Sequence, residues 1–329
     1  MKLNILVTGG AGFIGSHLTD KLVSLGHNVS VLDNLVNGKE ENLAEAAKNS
    51  SFKFIKGDIL DKGTCDNALK GIDIVYHLAC LGVRHSLHSP FENHRVNAEG
   101  TLNVLEAAHT HKAKRFFYIS TSEIYGDIKQ FPIDENGVPL PKTVYGSSKL
   151  AGENYAYSYN KCFGMDVTVL RIFNNYGPRA HYEGDAGEII PRSIVNLLYG
   201  KAPIVFGDGS VTRDFFYVKD TAAALAQLLD QKGITGEIIN IGTGEEITMK
   251  NLLEELIRAM KSPLKIEYHE DRPADVPRLW VNPSKFKRIT GFKSAYTFEE
   301  GLKETVKFYT ELKNKKDLLS EIKLKNWEK

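Results

Sequence analysis

The feature that most constrains this chain is a glycine-studded turn near its start, Thr8-Gly9-Gly10-Ala11-Gly12-Phe13-Ile14-Gly15. Before it lies a compact apolar run at residues 3–8, suited to a parallel strand covered on both faces. After it Ile14, Leu18, Leu22 and Leu25 fall at helical spacing, and Gly26 is the stop. A strand, glycines and a helix in that order form a dinucleotide turn. The first glycine permits a sharp bend, the second lets backbone approach a pyrophosphate, and the third lets helix and strand pack closely. The helix N-terminus then offers free N–H groups and partial positive charge to phosphate. A second strand, residues 28–32, ends in Asp33. A carboxylate there accepts hydrogen bonds from ribose hydroxyls and repels a 2′-phosphate, which favours NAD over NADP. Asp58, in Gly57-Asp58-Ile59, is placed to meet the adenine, with a capping role as the alternative.

Further strands are predicted at residues 52–56, 74–78, 116–120 and 166–171, with helices over about 93–111 and 145–163. Such alternation predicts an α/β fold with a doubly wound parallel sheet and right-handed crossovers. Beyond Arg171 glycine and proline become frequent and the elements shorten. Residues 238–241 read as one more strand, 249–260 as an amphipathic helix, and Thr297 with Glu300 as a capping box opening a helix to about Tyr309. The expected organisation is a cofactor domain over residues 1–172 and a smaller, interleaved substrate lobe over 173–329. Elements within about 204–241 are expected to return to the main domain.

Composition narrows the function classes. Lys+Arg number 42 against 41 Asp+Glu, so no global charge bias points to nucleic acid or to an anionic membrane, and any anionic ligand needs a local site. The three cysteines, Cys65, Cys80 and Cys162, are widely spaced and form no C-x-x-C, which suits a reducing cytoplasm rather than a disulfide framework. No apolar run reaches the roughly 20 residues that span a bilayer, and Met1-Lys2 runs directly into the first strand, so no signal peptide is expected. The lysine-rich residues 311–329, with Leu318, Leu319, Ile322 and Trp327 interleaved, read as a solvated terminal helix resting on the body.

The chemistry is carried by Tyr145-Gly-Ser-Ser-Lys149, which puts a phenol and an ammonium one turn apart on one helix face. A tyrosine titrates at roughly 10 when unperturbed. A neighbouring cation favours the phenolate, which then serves as a base near neutral pH. Ser120-Thr121-Ser122-Glu123 follows the fifth strand, at the carboxyl-end crevice where a doubly wound sheet binds its ligand.

Together these residues resemble the extended short-chain dehydrogenase/reductase family, in its sugar-nucleotide epimerase/dehydratase branch. Matching stretches include Thr8 to Gly15, Asp33-Asn34, Gly57-Asp58-Ile59, His77-Leu78-Ala79, Asn97 with Gly100-Thr101, and Tyr145 with Lys149. They continue through Arg171-Ile172-Phe173-Asn174-Asn175-Tyr176-Gly177-Pro178, Gly207-Asp208-Gly209 and Arg213-Asp214-Phe215. The resemblance implies NAD as cofactor, lined also by Phe13, Ile14, Asn34, Ile59, Leu78 and Ala79. It implies a nucleoside-diphosphate hexose as substrate, oxidised at C4 with Tyr145 as base. The keto sugar is then epimerised, dehydrated across C5 and C6, or decarboxylated. Thr121-Ser122-Glu123 is similar to GDP-mannose-type 4,6-dehydratases and also to UDP-glucuronate decarboxylases. The reading adopted is a 4,6-dehydratase with Glu123 as the C5 base and Thr121 or Ser122 assisting at O4. A 4-epimerase with a structural Glu123, then a decarboxylase, are the alternatives.

For the substrate, Arg213 and Arg272 are the arginines that best match a diphosphate. By resemblance Asn174 contacts diphosphate or sugar, Asp275 the nucleotide ribose, and Ile190-Pro191 the base. For Arg179 and Arg192 a surface role is equally open. His85 with His88, and His109 with His111, lack the companions of a metal site, so no metal is expected. Cys80 stands where the family more usually has alanine. The family's dimer, formed through helices including that of Tyr145, is the expected assembly. A NAD-sensing scaffold without chemistry is the non-enzyme alternative, and it would not need Tyr145 and Lys149.

Overall fold

The computed structural model describes residues 2–273 and 275–328. Seven parallel strands form the main sheet: β1 (Asn4–Thr8), β2 (Asn28–Asp33), β3 (Phe52–Lys56), β4 (Ile74–His77), β5 (Arg115–Thr121), β6 (Val167–Ile172) and β7 (Ile238–Ile241). Each agrees with the expected strand to within one residue at either end. Their order is β7-β6-β5-β4-β1-β2-β3. The winding reverses between β1 and β4, and that switch opens a crevice at the carboxyl ends of the strands.

Successive side chains of a strand point to opposite faces, so each strand feeds two cores. Ile5 and Val7 pack with Leu18, Val31, Leu225 and Ile239 on one face, beneath helices Phe13–Ser24 and Val218–Gln227. Leu6 packs with Leu32, Val104, Phe116 and Val167 on the other, beneath helices Lys62–Leu69, Gly100–Thr110 and Val144–Phe163. Burial on both faces explains why the strands read as continuous apolar runs. Each fully buried Leu or Val contributes about 2 kcal/mol.

The helix predicted over 93–111 is interrupted. Pro90–His94 leads into a π-helical stretch, Arg95–Glu99, before Gly100–Thr110. That stretch carries the buried Asn97, whose amide accepts from Leu81 N at 2.8 Å and donates toward Leu81 O and Ser148 Oγ. One side chain thereby fixes the loop after β4 to the helix that carries Tyr145.

The second half is built from short pieces around a separate core of Ile194, Leu252, Leu256, Leu302, Tyr309 and Leu318. Ile204–Phe206 pairs with Glu267–His269, and Thr212–Arg213 lies between Ile247–Thr248 and Arg278–Leu279. Among these later elements the helices Val218–Gln227 and Ser284–Thr290 pack onto the main sheet, the second through Phe286, and β7 joins it. Thr297 and Glu300 form the expected capping box, and the helix runs from Phe298 to Lys313, beyond Tyr309.

The reading of residues 311–329 as a terminal helix is corrected. The long helix ends at Lys313, Leu319–Glu321 makes one tight turn, and the rest is irregular. Leu318, Asn326 and Trp327 are buried. These tertiary contacts draw the chain off a helical path; Lys329 lies outside the described residues.

Candidate active site

A cleft of about 570 Å³ runs across the carboxyl ends of the strands and on between the main sheet and the second lobe. At one end lies the glycine turn. Gly9 has φ +71°, and a Cβ there would sit 2.7 Å from Ala79 N; at Gly15 it would sit 2.2 Å from Gly9 O. Neither contact is tolerable, so these positions are closed to any side chain. Gly12 caps the helix with no side-chain bond to its first N–H groups, which leaves them free for an anion. Asp33 accepts from Ala11 N at 2.9 Å and Leu35 N at 2.8 Å, so it braces the turn as well as facing the cleft. Burial pushes its pKa up, and those backbone bonds oppose the rise. Asn34 donates to Asp58 at 3.0 Å, while Asp58 also accepts from Leu60 N. Phe13, Ile14, Ile59, Leu78 and Ala79 line the same stretch. The closed glycine cradle, free helix N-terminus and paired acceptors fit a dinucleotide.

In the middle of the cleft stand Tyr145 and Lys149, with Thr121, Ser122 and Glu123 opposite. Thr121 ends β5 and caps a short turn by accepting from Glu123 N at 3.2 Å. Thr143 caps the Tyr145 helix through Gly146 N, which sets where that helix begins. Burial drives the Tyr145 phenol well above the usual tyrosine range. Cys80 adds to that rise, and the Thr121 hydroxyl works against it.

Lys149 makes its hydrogen bond to the backbone of β5. Its ammonium donates to Ile119 O at 2.6 Å and lies over the Tyr118 ring at 4.5 Å. Burial lowers the Lys149 pKa, with Cys80 and Glu153 opposing. Burial also raises the Glu123 carboxyl. Arg213 and Arg84 pull it down, whereas Asp275 and Glu188 push it up. The result is a carboxyl of raised proton affinity close enough to Tyr145 to raise that phenol too.

Behind this row a buried network holds the frame. Arg171 on β6 donates to Glu153 at 2.7 Å, Ser120 Oγ donates to Glu153 at 2.5 Å, and Arg171 also reaches the Tyr125 hydroxyl. Truncating one partner of such a pair strands the other charge. His77, between Thr8 and Thr101, is pushed by burial to about 3 and is neutral.

At the far end Asn174, Arg213, Arg272 and Asp275 all line the cleft. Asn174 Oδ1 is buried with no hydrogen-bond partner among the described residues, which marks it as ready for a ligand. Pro191 is corrected: it is buried in the first turn of helix Ile189–Leu198 and does not line the cleft. Ile189, Arg192, Ser193 and Asn196 do, because they share one face at helical spacing and Pro191 is out of phase with it.

Sequence reasoning missed Arg84, held across the cleft by Glu188 at 3.1 and 3.2 Å. Its position just after β4, at a strand's carboxyl end, was the signal available. The histidines have other work: His88 meets Asp185 at 2.9 Å, His111 meets Asp66 at 2.7 Å, and His109 packs on Phe163. No cluster of three metal-binding side chains occurs among the described residues.

Residues 6–305 match the family model described as GDP-mannose 4,6 dehydratase. The chain belongs to the extended short-chain dehydrogenase/reductase family, in its sugar-nucleotide epimerase/dehydratase branch. Members of that branch similar to this chain divide by reaction. A UDP-N-acetyl-alpha-D-glucosaminuronate decarboxylase from Bacillus cytotoxicus is 35% identical, over 95% of this chain and 100% of its own. The solved UDP-N-acetylglucosamine 4-epimerase from Methanobrevibacter ruminantium superimposes with a TM-score of 0.90 at 33% identity, covering 95% of this chain and 100% of that one. A dTDP-glucose 4,6-dehydratase from Streptomyces venezuelae, solved with NAD bound, gives a TM-score of 0.90 at 31% identity, covering 95% and 98%. Short-chain dehydrogenase/reductase architecture is therefore common to all three reactions, and the difference has to lie in side chains beside the reacting carbons.

Proposed function

We propose that this chain binds NAD and a nucleoside-diphosphate hexose and is a 4,6-dehydratase. The observation that carries the reading is Glu123, a carboxyl of raised proton affinity placed beside Tyr145 in the cleft. A C4 epimerase needs only a base at O4, and a buried carboxylate with no task there is a cost. A dehydratase needs a second acid/base at C5 and C6.

Gly9, Gly12, Gly15, Asp33 and Asp58 would hold the cofactor, which when bound supplies an acceptor for hydride from C4 and a donor that returns it to C6. Tyr145 takes the proton from O4, assisted by the Thr121 hydroxyl. Its phenol is hard to ionise in this buried setting, and the positive charge of an oxidised nicotinamide nearby is what would bring it within reach of neutral pH. Lys149, anchored on Ile119 O, would hold the nicotinamide ribose. Glu123 removes the C5 proton, made acidic by the C4 ketone, and the carboxylic acid so formed protonates the C6 hydroxyl as it leaves as water. Solvent then supplies the proton that returns to C5. Exposed Leu102, Tyr157 and Phe163 on helices Gly100–Thr110 and Val144–Phe163 support a homodimer through those helices. Three free cysteines suit a cytoplasmic setting.

Mass spectrometry of products from UDP-, GDP-, CDP- and dTDP-hexoses, with a uronate among them, tests the reaction. Loss of water from one substrate is the expected result. Loss of CO2, or an isomer of unchanged mass, would assign the site to decarboxylation or epimerisation instead.

A further inference from the structure

Four arginines face the substrate end of the cleft, and the protein does not meet all their charges. Arg84 is matched by Glu188, and Arg213 by Asp275 at 2.8 Å, with the carbonyls of Thr212 and Val276 taking its other amino group. Arg192 and Arg272 make no salt bridge among the described residues. Burial pulls each of them down to about 10, and Arg84 pushes each lower. Glu188 opposes that at both and Asp275 at Arg272; both remain charged at neutral pH, so two cations stand without an ion-pair partner of their own where desolvation is expensive. The diphosphate of a nucleotide sugar brings two negative charges to that place. Arg272 Nε is also shielded from solvent without a hydrogen-bond partner among the described residues.

What holds these two side chains is the segment after the last long helix. Arg192 donates to Lys323 O at 2.6 Å and Leu324 O at 2.9 Å. The Arg272 guanidinium lies 5.3 Å from the Phe206 ring and 5.5 Å from the Trp327 ring, with those two rings edge to face at 4.8 Å. The segment is itself anchored. Leu318 enters the lobe's core, Tyr182 donates to Glu321 at 2.7 Å, and Asn326 donates to Gly187 O at 2.9 Å. Carbonyls and ring faces orient a guanidinium without neutralising it. A carboxylate in their place would fix the geometry and cancel the charge that the ligand needs.

We propose that residues 319–328 are a working part of the sugar-nucleotide site, positioning Arg192 and Arg272 as the pair that receives the diphosphate. This rests on the reading that a sugar nucleotide occupies that end of the cleft. The segment lies beyond residue 305, where the match to the family model ends. Trp327 is a positioning residue here, and a ring face, not merely a filled volume, is what it must supply.

Calorimetric titration of UDP, GDP, CDP and dTDP into the wild-type chain and into Trp327→Phe, Trp327→Leu and Trp327→Ala tests this, with NAD titrated in parallel to report a folded cofactor half. The Leu and Ala variants are expected to bind the preferred nucleotide about ten-fold more weakly. The Phe variant should stay near wild type, and NAD affinity should not change. With the sugar nucleotide, KM should rise while kcat at saturation holds. A Leu variant that binds as tightly as wild type, or a Phe variant as weak as Leu, overturns the role of the segment and leaves the sugar-nucleotide site standing. A wild-type chain that binds none of the four nucleotides removes the site reading, and this proposal with it.

Discussion

The cofactor end of the cleft is made of backbone, whereas the substrate end is made of long side chains. Six strands of four to seven residues, β1 to β6, carry the first on their carboxyl ends, where two glycine positions and a bare helix N-terminus leave little to vary. The later strands outside the main sheet are two or three residues long. The arginines of this end stand on separate short elements and are fixed by partners far away in the chain, such as Glu188 for Arg84 and Lys323 for Arg192. A rigid frame therefore presents one constant ligand, and an adaptable wall presents the variable one. Keeping the first while altering the second is a physical route by which one architecture serves different sugar nucleotides.

If that division holds, the largest single effect comes where the two ends meet. Tyr145→Phe should lower turnover about a thousand-fold, the order lost with a general base, while NAD titration reports unchanged affinity. A large loss of NAD binding in that variant would show that the two ends are not separable at this residue.

Next comes Glu123→Gln, expected to cost about a hundred-fold in turnover, measured with the substrate that loses water. The pH dependence sharpens the point. Glu123 works as a base only when ionised, and burial has raised its proton affinity. Activity should therefore fall on the acid side at a pH above the ordinary carboxylate range. The limb of the kcat/KM profile assigned to Glu123 should be absent in the Gln variant. An acid limb that persists unchanged in Glu123→Gln belongs to another group.

The smallest effect is expected at a tie between the halves. Lys39, on the loop beside the cofactor end, meets Glu183 of the substrate loop at 2.7 Å, with both side chains partly exposed. Lys39→Ala should reduce stability by at most about 1 kcal/mol, read as a small shift in the denaturation midpoint. A much larger shift would mean that the halves depend on each other for folding.

The same division governs what the sequence makes legible. Gly9, Gly15 and Asp33 could be read because each answers a constraint acting within a few residues or on the strand beside it. The six early strands were readable because burial on both faces leaves an unbroken apolar signature. Tyr145 and Lys149 could be placed on one face from helical spacing, yet not their electrostatics, since burial and neighbours such as Cys80 decide those. That Arg192 and not Pro191 lines the cleft depends on the phase of helix Ile189–Leu198, which the sequence does not announce. Arg84 had no visible partner, since Glu188 is 104 residues away. Residues 311–329 carry apolar spacing that looks amphipathic. Their path is set instead by contacts with Phe206, Arg272 and Gly187, which no local pattern announces.

The most direct test of dehydration through Glu123 is turnover of the preferred sugar nucleotide in deuterated water, with the product's C5 position examined by NMR. One solvent deuterium at C5 of a product that has lost water is the expected result. A product that keeps its C5 proton and all its oxygen, inverted at C4 alone, would contradict it.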